Sequence, residues 1–202
     1  MHIALLGDSV FDNQSYVKPG RAVIDHLRAS TEVDDMVTLL AVDGDLAHNL
    51  PAQLSRMACL PQSATHLAIS VGGNDALECL PTLDRPVVCV MEALQHLARI
   101  QSSFASHYIS AMAAASQLQL PTVVCTIYDG VPGLSEPLKS ALSLFNDVIV
   151  RSAMRHGFDV LDLREWLTES SDFSPKSPIE PSETGGQKIA LGLYRWCRPM
   201  TD

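Results

Sequence analysis

The sequence predicts an α/β domain of three layers, a parallel sheet held between two sets of helices. Two observations carry this. Short apolar or β-branched runs alternate along the chain with longer segments of helical periodicity. The short runs are mostly continuous rather than alternating in hydrophobicity, which is the pattern of strands covered on both faces. Strand-helix alternation over this length implies parallel pairing through right-handed crossovers.

Five strands are read in order at 2–6 (HIALL), 36–42 (MVTLLAV), 66–71 (HLAISV), 121–128 (PTVVCTIY) and 159–163 (DVLDL). Helices are expected over 20–30, 44–57, 91–119, 135–156 and 183–197. Pro51 should disturb the second of these, because a proline inside a helix removes a donor and clashes with the preceding turn. The third places Leu94, Leu97, Phe104, Tyr108, Met112 and Leu118 at helical spacing. Two irregular stretches remain, 129–134 and 168–182, rich in Pro, Ser, Gly and acids. No repeat or interdomain linker interrupts the pattern, so residues 1–202 read as one domain.

Composition narrows the function. With 202 residues, 47% of them hydrophobic, the chain can bury a core without disulfides or metals. A net charge of −9, with 14 basic residues and no basic run, argues against nucleic acid or an anionic membrane as partner. Cys59, Cys79, Cys89, Cys125 and Cys197 have no metal-ligand spacing, and an odd count on apolar stretches reads as free thiols. Structural zinc is not expected, and neither is a cofactor. No apolar run approaches the roughly 20 residues of a membrane span. No basic segment and apolar stretch of a secretion signal precede the first strand, so the expected location is cytoplasmic.

In open α/β sheets ligands sit beyond the carboxyl ends of the strands, so the loops there are the place to look. Three have unusual content: Gly7-Asp8-Ser9 after the first strand, Gly44 within AVDGDLAHN after the second, and Gly72-Gly73-Asn74-Asp75 after the third. A serine hydroxyl, two backbone N–H groups and an asparagine amide are what acyl transfer needs: a nucleophile and preorganised donors for an oxyanion. Each motif alone is an ordinary turn signal, since Asp, Ser and Asn bond their own backbone there. Dinucleotide and P-loop glycine motifs are absent. Asp8 alone lacks the clustered acids of a phosphoacceptor site. Asp43, Asp45 and Asp129 have no spacing that fixes a glycosidase pair, and read as solvated turn residues.

GDS after the first strand, a lone glycine after the second and GGND after the third resemble the first three blocks of the SGNH (GDSL-type) hydrolase superfamily. The resemblance spans nearly the whole chain, with Val10 where the family often has leucine. It implies a flavodoxin-like order of five parallel strands. It also implies a serine ester hydrolase acting on a small-molecule ester, with Ser9 as nucleophile and Ser9 N–H, Gly44 N–H and Asn74 as oxyanion donors.

The same resemblance exposes a departure. The family takes its base from a late Asp-x-x-His motif before the last helix. The matching stretch here is Ser177-Pro178-Ile179-Glu180, with serine in place of the aspartate and glutamate in place of the histidine. No histidine follows His156. Three readings stay open. Glu180 serves as the base, its ordinary pKa near 4.3 raised by burial. Alternatively His48, four residues past Gly44, supplies it. Or the chain keeps the fold without efficient hydrolysis and binds an acyl or sugar-ester ligand or a protein partner. Glu180 also has a structural role open to it beside Ser182, a residue suited to cap the last helix. The segments 76–90 and 129–134 are expected to wall the pocket.

Overall fold

The structure, a computed structural model, describes residues 1–198. Strands β1 (His2–Gly7), β2 (Met36–Leu39), β3 (His66–Ser70), β4 (Thr122–Cys125) and β5 (Asp159–Leu161) pair in parallel throughout, in the order β2-β1-β3-β4-β5. That is the flavodoxin-like order. The helices are α1 (Gln14–Val17), α2 (Val23–Ser30), α3 (Leu50–Arg56), α4 (Gly73–Glu78), α5 (Leu80–Leu83), α6 (Val90–Ser116), α7 (Glu136–His156) and α8 (Glu183–Cys197).

The continuous apolar runs are explained by cover on both faces. Successive side chains of β1 point opposite ways. Ile3 and Leu5 pack with Val23 and Leu27 of α2 and with Ile189 and Leu193 of α8. Ala4 and Leu6 pack against Leu50 of α3, Phe104 and Met112 of α6, and Ile149 of α7. Both faces of one strand are therefore core, and each fully buried leucine or isoleucine contributes about 1.5–3 kcal/mol.

Several boundaries differ from expectation. The second strand stops at Leu39, because Leu40 and Ala41 both donate to the single carbonyl of Leu5 and the chain leaves the sheet. Pro51 does disturb the segment 44–57. A short 3₁₀ turn, Ala47–Asn49, precedes α3, and the proline falls in the first turn of that helix, where its missing N–H costs nothing. The segment 76–90, read as loop, is half helical: α4 and α5 occupy its first part. Ser182 caps α8 by accepting from Gly185 N–H at 3.1 Å. No helix among the described residues is long and apolar enough to cross a membrane.

Candidate active site

Gly7 closes β1 at φ +130°, and a Cβ there would stand 1.8 Å from the carbonyl oxygen of Ser70. Only glycine permits so close an approach of the two strand ends. Beyond it the chain turns sharply, with Asp8 N–H donating to Ser70 O at 3.0 Å and Phe11 N–H returning to Asp8 O at 3.2 Å. The turn presents Ser9 at the carboxyl edge of the sheet, only 6% exposed. Ser9 Oγ donates to Glu180 Oε1 at 3.1 Å, joining residues 171 apart in the chain.

The segment that carries Glu180 is held by its backbone. Glu180 N–H donates to Ser177 O at 2.9 Å, closing a tight turn over Ser177-Pro178-Ile179-Glu180, and Glu180 O accepts from Ser174 N–H at 2.8 Å. On one side Tyr128 Oη donates to Ile179 O at 2.6 Å. On the other, the wholly buried Asn13 donates through Nδ2 to Pro181 O at 3.3 Å and accepts Val23 N–H on Oδ1 at 3.0 Å. The carboxylate is thus placed by its main chain. Its second oxygen, Oε2, is buried and has no hydrogen-bond partner among the described residues.

The loop after β2 is tied to the other two. Asn74 Nδ2 donates to Asp45 O at 3.1 Å, setting its amide beside the Gly44 turn and leaving its second N–H free to donate elsewhere. Gly44 has φ +86°, and a Cβ there would meet nothing within 4 Å, so here glycine answers a need for left-handed backbone rather than for space. Gln53 spans the loops from below: Oε1 accepts from Gly7 N–H at 2.7 Å, and Nε2 donates to Gly7 O at 2.8 Å and to Asp45 Oδ2 at 2.7 Å. Asp43 accepts from Tyr16 Oη at 2.9 Å, and its own N–H donates to Asp12 Oδ2 at 3.0 Å. Asp43 is exposed in its turn, as read from the sequence, while Asp45 is half-buried and tied into the loop scaffold through Gln53, a correction to its reading as a solvated turn residue. The N–H groups of Ser9 and Gly44 donate to no other group among the described residues.

Two buried carboxyls face this site. Burial raises the pKa of Glu180 above its ordinary value, opposed by the hydrogen bond from Ser9 and reinforced by the charge of Asp43. Burial acts more strongly on Asp8 and lifts it to about 8, with Val10 N–H opposing and the charge of Glu180 adding to the rise. Near neutral pH the Asp8 acid is therefore mostly neutral.

His48 is exposed on the 3₁₀ turn before α3, its ring centroid 5.9 Å from that of His107. It lines a separate cavity of about 420 Å³ together with His96 and His107, and Glu180 takes no part in that cavity. The group bonded to Ser9 Oγ is Glu180, so the structure gives His48 no place as its base. Among the described residues no group of three or more His, Cys, Asp or Glu side chains is arranged to hold a metal ion.

A second cavity, of about 320 Å³, is lined by Asp8, Val10, Asn74 and Glu180 at one end. Leu77, Leu80 and Leu83 from the region of α4 and α5, and Val131 and Leu134 from the irregular stretch after β4, line it farther out. Both segments expected to wall the pocket do so.

Asn13, Gln53, Tyr128 and Asp8 had no signal in the sequence for the parts they take. Their bonds join positions 168, 46 and 51 residues apart for the first three. The weight of Asp8 comes from burial, which one sequence does not display.

No family model matches the sequence, and comparison with curated proteins gives no match. Solved structures do match, over nearly the full chain. A member of the lipolytic G-D-S-L family from Veillonella parvula is 18% identical with a TM-score of 0.71, covering 98% of this chain and 99% of its own. An extracellular lipase from Streptomyces rimosus is 19% identical with a TM-score of 0.71, covering 96% and 98%. An acetylxylan esterase from Geobacillus stearothermophilus, solved as a catalytic mutant with a histidine changed to alanine, is 14% identical with a TM-score of 0.69, covering 98% and 97%. The chain therefore has the fold of the SGNH (GDSL-type) hydrolase superfamily.

Proposed function

We propose that the protein is a serine ester hydrolase that uses a glutamate where its structural relatives' family uses a histidine. The carrying observation is the 3.1 Å hydrogen bond from Ser9 Oγ to a buried Glu180. Ser9 attacks the ester carbonyl while Glu180 Oε1 takes the hydroxyl proton. The oxyanion is received by Ser9 N–H, Gly44 N–H and the Asn74 amide. Collapse of the tetrahedral adduct breaks the bond to the alcohol, which leaves with the proton returned by Glu180. Water then attacks the acyl-serine, again giving its proton to Glu180, and Ser9 is released with the acid.

The substitution at Ser177 fits this scheme. An aspartate there would serve to orient an imidazole and stabilise its cation. With a carboxylate at 180 no cation forms, and a second carboxylate close by would only repel the first. The neutral acid of Asp8 beside the site avoids the same conflict.

A second reading, a protein of this fold that binds an acyl or sugar-ester ligand or a protein partner without turnover, draws on one observation. Among the described residues Glu180 Oε2 has no hydrogen-bond partner, so none of them orients the carboxylate as a third group. One experiment separates the two. The native protein should be labelled stoichiometrically by a fluorophosphonate and should turn over p-nitrophenyl butyrate, and Ser9→Ala should abolish both. Absence of labelling over hours would leave the binding protein.

A further inference from the structure

The cavity lined by Asp8 and Val10, the neighbours of Ser9 in the chain, and by Glu180, its hydrogen-bond partner, carries few polar groups. Besides Asp8, Asn74, Glu180, Ser70, Thr126 and Tyr128 its walls are mostly hydrocarbon: Leu97 and Ile100 from α6, Leu138, Leu142 and Phe145 from α7, and Ile127 beyond β4. Leu77, Leu80 and Leu83 complete it, and these remain 39%, 41% and 40% exposed, so it reaches solvent past leucine side chains. A polar alcohol or sugar would find few partners along such walls. An alkyl chain would lose its hydration throughout.

Size selects the chain. A methylene fills about the share of liquid volume of a water molecule, near 30 Å³. A cavity of about 320 Å³ takes roughly ten such groups. An acetyl group leaves most of it empty. Each methylene added inside improves binding about three- to fourfold.

We propose that this cavity is an acyl-chain subsite for a medium-chain acyl group of about eight carbons, entered from the carbonyl held at Ser9. The substrates are then esters of such acids rather than acetate esters, which separates this chain from the acetylxylan esterase whose fold it shares. The proposal rests on Ser9 marking the carbonyl end. Its apolar walls stand independently of whether turnover occurs.

The test uses Ser9→Ala, which keeps the cavity and cannot form an acyl-enzyme. Calorimetric or NMR titration with methyl octanoate and methyl acetate should give at least about a hundredfold tighter binding of the octanoate ester, given six more methylenes to bury. Ala141→Trp, placed in the cavity wall, should cut octanoate binding at least about tenfold while leaving acetate binding unchanged. Should that variant fold poorly, the comparison of the two esters on Ser9→Ala still decides. On the native protein, kcat/KM for p-nitrophenyl octanoate should exceed that for the acetate by at least tenfold. Octanoate bound without any ester being turned over would support the subsite and remove the hydrolase reading. Equal binding of the two esters, or an acetate optimum in turnover, would overturn the subsite whatever the rate of hydrolysis.

Discussion

Glu180 stands 3.1 Å from the hydroxyl of Ser9 through Oε1, while its other oxygen, Oε2, is buried with no hydrogen-bond partner among the described residues. In the proposed reaction this carboxylate takes the serine proton. Its environment is dry enough to raise its pKa, and among the described residues it forms no ion pair that would lower it again.

Glu180→Gln keeps the shape and removes the base, so kcat should fall about 10²- to 10⁴-fold. Glu180→His restores imidazole and should raise the rate over native by a similar factor, most fully when combined with Ser177→Asp to orient the ring. Measured kcat values on one ester for the three variants check this. An unchanged rate in Glu180→Gln would remove Glu180 from the mechanism.

The pH profile follows from the same carboxylate. In the proposed mechanism Glu180 acts as a base only when ionised, and burial raises its pKa from the ordinary 4.5. Native kcat/KM should therefore climb about tenfold per pH unit below the raised value and level off above it. The midpoint should lie above 4.5. In Glu180→His the midpoint should move toward the imidazole range.

Asp8 makes a prediction about stability. Its pKa is raised from 3.8 to about 8 in the folded protein. Between those values the folded state holds a proton that the unfolded chain has released, so stability falls as pH rises through that window. The neutral acid's contribution is fully present below pH 3.8 and lost above about 8. Asp8→Asn keeps an oxygen for Val10 N–H and removes the titration. Urea midpoints measured from pH 4 to pH 9 should flatten in the variant, and it should be the more stable protein at the alkaline end. An identical slope in both proteins would contradict the assignment.

Tyr128→Phe removes the 2.6 Å hydrogen bond that fixes Ile179 O, one residue before Glu180. Stability should fall by about 1 kcal/mol. The kcat should fall more than tenfold, because a base displaced by a fraction of an ångström transfers its proton poorly. KM should change little, since Ile179 O meets the protein and not the ester. Parallel changes in kcat and KM would point instead to loss of the pocket wall.

Gly7→Ala asks for a backbone angle that side chains rarely adopt, with a methyl 1.8 Å from Ser70 O. Unfolding by urea should show a loss on the order of 3 kcal/mol or more. Because the turn bearing Ser9 must shift, fluorophosphonate labelling should fall as well. Normal labelling in a folded Gly7→Ala protein would mean that the strand ends can separate without moving the serine.

The sequence by itself determined the layers and the loops that matter. Continuous apolar runs such as HIALL are legible because β1 is buried on both faces, and the glycines at 7, 44 and 72 are legible because only that residue turns a strand end so tightly. Ser9, Gly44 and Asn74 could be named as candidates because each follows a strand by two to five residues. Tertiary structure decided the rest. Whether Glu180 or His48 meets Ser9 depends on contacts across 171 residues of chain, which no local pattern encodes. The clamp by Asn13 and Tyr128, the buried acid of Asp8 and the hydrocarbon cavity arise from which distant side chains come together and exclude water. Those are properties of the packed chain, since burial and pKa are set by neighbours in space and not in sequence.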